Sequence, residues 1–442
     1  VIQTGNYGEN IGRVDLEIDR KTGKVISHAE KLIKRGANPT PEEIAANPTL
    51  VGAKEIIDAA IAKGDEEGKK ELGEVTADIT TAYTGGSYVD GKYVGKGPGP
   101  KDGRDDRASE STLGNLVGDA LKELVPGADI GVTNPGGLRD EFFKGTDGII
   151  TLAEANAVLP FLNNLWKTTL TGAQFKEVLE QQWQTDAAGN VPARSYLQLG
   201  LSKNVTYTFN PNGTQGDHIT GIFIDGKPID MNKEYVIGSM SFLLQGGDNF
   251  RAFTKGKNTV DTGLVDRDAW FGYIKDKTPL SPSFARQSVA VDGNLPAKFA
   301  ADQELTFTVG ANPQDPATGS RGSLDMTSLG APKNTEVTVK VGDKELGTFP
   351  VVDGKAEISV KLPSDYTADM GNPVVVAKES GTTVQIASVK SELVRYTGKS
   401  RYETAVAANK ANPAEKGAPV FLATGENFAD ALSAGPAAAK VK

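Results

Sequence analysis

Cysteine is absent from all 442 residues, which removes disulfides, zinc–thiolate sites and cysteine nucleophiles together. Histidine is scarce: only His28 and His218 occur, and neither stands in a His-x-His or Asp-x-His arrangement. A two-metal hydrolytic centre needs several clustered ligands, and none can be assembled from this set. No apolar run approaches the roughly 20 residues of a membrane-crossing helix. Positive charge is in deficit, since 57 acids and 48 bases, interspersed, leave a net charge of −9. Such a surface speaks against nucleic-acid binding. What remains is a cysteine-free acidic chain whose length suggests about three domains.

Its most informative segment is Asn134-Pro-Gly-Gly-Leu-Arg139. It follows an apolar run, Ala128-Asp-Ile-Gly-Val-Thr133, that reads as a short buried strand. Gly136 and Gly137 let the backbone come close to a ligand, because no Cβ stands in the way. Asn134 brings an amide and Arg139 a planar fork of donors that matches phosphate or carboxylate. A tight turn carrying a surface arginine would leave the same local trace.

Other residues add to this. Phe161 follows Pro160, and Phe242 and Asp248 lie in Ser241-Phe-Leu-Leu-Gln-Gly-Gly-Asp-Asn-Phe250. Arg107 precedes a strong helical pattern in which Leu113, Leu116, Val117, Ala120, Leu121 and Leu124 form one apolar stripe. Ser109 or Ser111 can cap that helix, which would hold Arg107 just outside a helix N-terminus, where anions are favoured. A nucleotide needs cations for phosphate, flat apolar faces for the base and a carboxylate for the ribose hydroxyls. All three kinds are present.

Residues 75–285 resemble the C-terminal, substrate-binding domain of the 5'-nucleotidase family, the relatives of UDP-sugar hydrolase. The matching stretches are Glu110-Ser-Thr-Leu-Gly-Asn-Leu-Val-Gly-Asp-Ala120, the NPGGLR segment, Leu159-Pro-Phe-Leu-Asn163 and Ser241–Phe250. The resemblance implies that Arg107, Asn134 and Arg139 hold the phosphate side, that Phe161 and Phe242 sandwich the base, and that Asp248 binds the ribose. It also implies a separate metallophosphatase domain carrying divalent metal ions and the catalytic histidine. Residues 1–22 resemble the last strands of that domain, so the expectation is a chain without its catalytic half, holding no catalytic residue and no metal of its own.

Residues 23–74 read as a linker with an interdomain helix, since Val51, Ile56, Ile57, Ala60 and Ile61 recur at helical spacing. Thr171-Gly-Ala-Gln174 is a capping box opening a helix through Phe175, Val178, Leu179 and Trp183. Strands are expected at 204–209, 219–224 and 235–239, with Asp225-Gly226 as a hairpin turn. This mixture indicates an α+β class for the central domain. Gly86-x-x-x-x-Gly91-Lys92 imitates a phosphate-binding loop, but Tyr93 replaces Ser or Thr, and Pro98 and Pro100 oppose a helix there.

From 290 to 392, short alternating segments separated by Gly, Asp and Pro suggest an immunoglobulin-like β-sandwich. A spacer role is expected for it, with carbohydrate or protein binding as the other possibility. Residues 393–442, including Arg395-Tyr-Thr-Gly-Lys-Ser-Arg-Tyr-Glu-Thr-Ala405, resemble a partial type 2 cell-wall-binding repeat of Gram-positive surface proteins, a truncated α/β unit. The resemblance implies an extracellular, wall-associated nucleotidase acting on AMP-like nucleotides, or on UDP-sugars or 2',3'-cyclic nucleotides, and held by anionic wall polymer. A wall-anchored adhesion or binding protein with a non-catalytic nucleotidase-like domain is the other reading.

Overall fold

The computed structural model describes residues 3–388, apart from residues 6, 86, 90, 91, 98, 100 and 313–320. The wall-binding-like segment, and Gly86 and Gly91 of the phosphate-loop imitation, lie outside the described residues. The chain forms two compact units, one from residues 1–80, 136–164 and 263–282, the other from 81–135, 165–262 and 283 onward.

The first unit opens with an antiparallel hairpin, Asn10–Ile18 against Val25–Lys34, in the register Leu16↔His28. Two helices follow. Pro41–Ala46 starts on a capping box between Thr40 and Glu43, and Pro48–Gly68 is capped by Asn47. The second is the helix its spacing foretold, yet Ile56 and Ile57 are 74% and 55% exposed. The unit's own core is small. Helix Asp266–Lys277 contributes Trp270, whose ring lies between Phe142 at 6.0 Å and Tyr273 at 5.8 Å. Strand Glu71–Glu74 pairs with Ile149–Thr151, and Thr151 then caps helix Leu152–Val158 through a capping box with Glu154.

The second unit is built around helix Thr112–Leu124, capped by Ser111, whose Oγ accepts from the Gly114 amide at 3.0 Å. Leu113, Val117, Ala120 and Leu121 of its apolar stripe are buried, while Leu116 and Leu124 at the stripe's edge are partly exposed. Glycines set how close it comes: a Cβ on Gly131 would stand 2.0 Å from the Gly118 carbonyl oxygen. Strand Ile130–Thr133 therefore passes backbone against backbone beneath the helix. It belongs to a five-stranded sheet ordered Lys257–Val265, Asn164–Thr171, Glu234–Met240, Ile130–Thr133, Gly200–Leu201. Helix Gly172–Glu180 starts on the Thr171–Gln174 capping box.

A ten-stranded sheet completes the unit. Lys227–Pro228, Ile219–Ile224 and Val205–Phe209 come first, the first two joined by the Asp225-Gly226 turn with both residues at positive φ. Val205–Phe209 then pairs in parallel with Ser288–Gly293, in the register Tyr207↔Ser288. From there the sheet continues through Glu304–Gly310, Lys355–Lys361, Lys344–Val352, Glu336–Val341, Val374–Ala377 and Thr382–Gln385. The central segment and the strand-rich region thus share one sheet. Helices with mixed parallel and antiparallel strands make the class α+β.

Candidate functional site

Four of the residues singled out in the sequence fall in the second unit: Arg107, Asn134, Phe242 and Asp248. Gly136, Gly137, Arg139 and Phe161 fall in the first.

In the second unit, Asn134 leaves the end of strand Ile130–Thr133 with its side chain buried. Its Nδ2 donates to Asp248 Oδ2 at 2.6 Å, across 114 residues of sequence. Asp248 sits in the left-handed region, at φ 52°, inside the 3-10 turn Gly247–Asn249. The next residue, Asn249, donates to Gln184 Oε1 at 3.1 Å and so fixes the turn from its other side. Phe242 stands on the short helical turn Ser241–Leu244, whose Leu243 and Leu244 point into the core while Phe242 stays 46% exposed. Gly247 lies directly under that ring: a Cβ there would meet ring carbons at 2.6 Å. The Gly-Gly pair therefore has two separate reasons. Gly246 supplies a φ of 87°, and Gly247 leaves room for the aromatic face.

Arg107 is held by a neighbour. Its Nε and Nη2 form a fork on the Asp105 carboxylate at 2.8–3.0 Å. Asp105 reaches this position at φ 64°. The Arg107 carbonyl accepts from the Gln198 amide at 2.8 Å, so backbone and guanidinium are both oriented. A paired guanidinium is partly neutralised, but it is also pre-aimed, which lowers the ordering cost of a second anion.

In the first unit, Gly136 and Gly137, the last two residues of the 3-10 turn Pro135–Gly137, lead to Arg139. The Arg139 amide donates to the Val158 carbonyl at 3.0 Å, and Nη1 lies 3.4 Å from the Gly136 carbonyl. The guanidinium carbon is 5.7 Å from the centroid of the Phe161 ring, a cation–π distance. Phe161 is 56% exposed, and Leu162 beside it takes φ 56°. Asn163 closes this loop through its amide and Nδ2, both donating to Asp266 Oδ2 at 3.1 and 3.0 Å. Burial raises the Asp266 carboxyl above its ordinary range, against the lowering effect of the Asn163 hydrogen bond. Asn163 was visible in the Leu159–Asn163 stretch without a role; its anchoring of the Phe161 loop is legible only in three dimensions.

The two histidines have structural settings. His218 stacks on Trp183 at 3.9 Å, and His28 lies on the exposed hairpin 3.7 Å from Glu30. Among the described residues, no three His, Asp or Glu side chains gather as a metal ion would require. Among them, too, no helix is long and apolar enough to cross a membrane.

Residues 93–255 match the model of the 5'-nucleotidase C-terminal domain, an interval containing every candidate residue above. This chain carries a 5'-nucleotidase C-terminal domain. Residues 395–442 match cell wall binding domain 2. The chain is 29% identical over 286 residues to the trifunctional nucleotide phosphoesterase protein YfkN of Bacillus subtilis, covering 62% of this chain and 17% of that protein. It is 28% identical over 288 residues to the cell wall protein Lmo0130 of Listeria monocytogenes, covering 63% of this chain and 32% of that one. The bovine 5'-nucleotidase is 25% identical over 302 residues, with 64% and 46% covered. The chain thus spans between 17% and 46% of the length of these relatives. A 5'-nucleotidase precursor structure from Thermus thermophilus aligns at a TM-score of 0.42 and 23% identity, over 65% of this chain and 51% of that one.

Proposed function

We propose that this chain is the nucleotide-recognising part of a secreted, cell-wall-associated 5'-nucleotidase. The single observation that supports it most is the Asn134–Asp248 hydrogen bond beside the half-exposed Phe242. A strand end, a left-handed turn and an aromatic platform are built together there, and core packing alone needs no such arrangement. In this reading Phe242 stacks on the base, since an exposed ring offers a flat apolar face to any nucleobase. Asp248, oriented by Asn134, accepts from the ribose hydroxyls. Arg107 takes the phosphate side, where charge-assisted hydrogen bonds are the strong ones; in the first unit, taken by itself, the reading gives Arg139 and the Gly136-Gly137 backbone an anion-binding role and Phe161 an aromatic one. AMP-like nucleotides are the substrate class, with UDP-sugars and 2',3'-cyclic nucleotides as related esters. The strand-rich region enters this reading as an immunoglobulin-like module, and residues 395–442 as the attachment to anionic wall polymer.

Phosphoester hydrolysis in such an enzyme uses divalent metal ions, and the described residues do not fit them: no donor cluster is present. No catalytic step is therefore assigned to these residues; they bind and orient. Isothermal titration with AMP tests the site. Arg139→Ala should weaken binding by about 1.5–3 kcal/mol, the contribution of a charged hydrogen-bond partner. Equal affinity in the two proteins would remove Arg139 from the site.

A second reading, a wall-anchored binding protein with a non-catalytic nucleotidase-like domain, draws on the likeness to the Listeria cell wall protein. Metal-dependent phosphate release from AMP by the intact protein would exclude it.

A further inference from the structure

The segment Arg321–Ser328 has the composition of a surface loop, yet Ser323, Asp325, Thr327 and Ser328 are all buried. It belongs to the strand-rich region in sequence and is tied there by bonds from Leu324 and Ser323 to the Gly354 carbonyl and from Asn334 to Asp325, but Thr327 and Ser328 also bond to the domain that carries Arg107. Ser328 Oγ accepts from the Thr112 amide at 3.1 Å, across 216 residues. Thr112 is the first residue of the helix that follows Arg107, and its amide is one of the donors every helix start leaves without an intrahelical partner. The Thr327 carbonyl accepts from the Tyr83 amide at 3.3 Å. Just upstream of Tyr83, the Ala82 carbonyl accepts from Asp106, and Thr81 Oγ1 accepts from the Asp105 amide at 3.1 Å. On the other flank, the Arg321 guanidinium lies 4.2 Å from the centroid of Tyr196. Tyr196 donates to Gln198, whose amide in turn binds the Arg107 carbonyl.

A buried ion pair closes the bracket. Arg286 Nε lies 3.2 Å from Glu110 Oε2, with both side chains at most 1% exposed. The same carboxylate accepts from the amides of Gln287 and Ser288 and from Ser288 Oγ. A buried charge that loses its partner is strongly destabilising, so this junction does not separate readily. Nothing about a spacer requires such a junction.

We propose that Arg321–Ser328 is a positioning element for nucleotide recognition: it holds residues 105–112, and with them Arg107, in the geometry that receives the phosphate. The proposal rests on Arg107 being a phosphate contact, as in the function proposed above. Ser328 and Arg321 act through Arg107 and touch no ligand themselves.

A double-substitution cycle on the full chain, read as AMP affinity by titration calorimetry, tests it. Ser328→Ala, and separately Arg321→Leu, should weaken AMP binding about three- to tenfold, the size of one lost polar interaction. In an Arg107→Ala background the same substitutions should cause almost no further loss, because the residue they position is gone. Two results overturn the proposal: unchanged affinity in both variants, or the same fold loss with and without Arg107, which marks a merely structural effect. If Arg107→Ala itself leaves AMP binding intact, the assignment of Arg107 fails first and takes the proposal with it. That outcome is recognisable because it appears in the single variant.

Discussion

Phe242 and Phe250 lie on one short segment, Ser241–Phe250, and meet opposite fates. Phe250 is fully buried, with its ring 6.5 Å from that of Phe253, inside a cluster that includes Phe175, Trp183, Tyr207 and Ile237. Phe242 remains 46% exposed over the backbone of Gly247. The two side chains are chemically identical, so the difference comes from where the turn around Asp248 points each of them. An aromatic ring left half in water by a turn that takes left-handed backbone, and that needs a glycine beneath the ring, is an exposed surface maintained by construction. The buried ring serves the fold, and the exposed one is available to a ligand.

Substitution at the two positions should separate these roles. Phe250→Ala should destabilise the second unit by about 3–5 kcal/mol, the cost of emptying a buried phenylalanine site, seen as a lower denaturation midpoint. Phe242→Ala should change stability by only about 0.5 kcal/mol or less while reducing AMP affinity by about 1–3 kcal/mol. Chemical denaturation and calorimetric titration on the same samples check both. A Phe242→Ala protein that unfolds readily but binds AMP normally would reverse the comparison.

His218 sharpens the comparison from the buried side. It stacks on Trp183, and its Nδ1 lies 3.5 Å from Glu180 Oε2, while the Glu180 carboxylate accepts from the amides of His218 and Ile219. Burial lowers the imidazole from its ordinary 6.5, outweighing the raising effect of Glu180. A base whose folded pKa is depressed gives stability that is present above its unfolded pKa of 6.5 and lost as pH falls through the folded value. Melting temperature should therefore drop as pH falls below 6.5, and His218→Phe, which keeps a stacking ring without a titrating nitrogen, should flatten that drop. An equal pH dependence in both proteins would contradict the assignment.

What the sequence discloses follows the range of the interactions. The stripe Leu113, Val117, Ala120, Leu121 places its helix correctly because burial of one face is a local periodic signal. The Thr171–Gln174 capping box and the Asp225-Gly226 turn are likewise local, and both form. Of the site, the residue types and the glycines are visible. The Asn134–Asp248 bond is not, because 114 residues separate its partners and neither side chain advertises the other. The strand Lys344–Val352 escapes notice because Gly347 and Pro350 interrupt its pattern. The burial of the polar segment Arg321–Ser328 is equally silent in the sequence, because its groups pair with distant partners: Thr112 and Tyr83 on one side, Asn334 and Gly354 on the other.

The smallest effect is expected on helix Pro48–Gly68. Ile56, Ile57 and Ile61 recur at helical spacing like the residues of a core stripe, yet each is more than half exposed. Periodicity alone establishes a helix; it does not establish what the helix packs against. Ile57→Ala removes little buried area and replaces a β-branched residue with the best helix former. The stability of the first unit should then change by about 0.5 kcal/mol or less, with the sign favouring alanine. Denaturant titration of the two proteins decides it. A loss of about 2 kcal/mol or more would be the cost of a buried aliphatic side chain, and the stripe on this helix would then be an interface like that of Thr112–Leu124 rather than a solvated face.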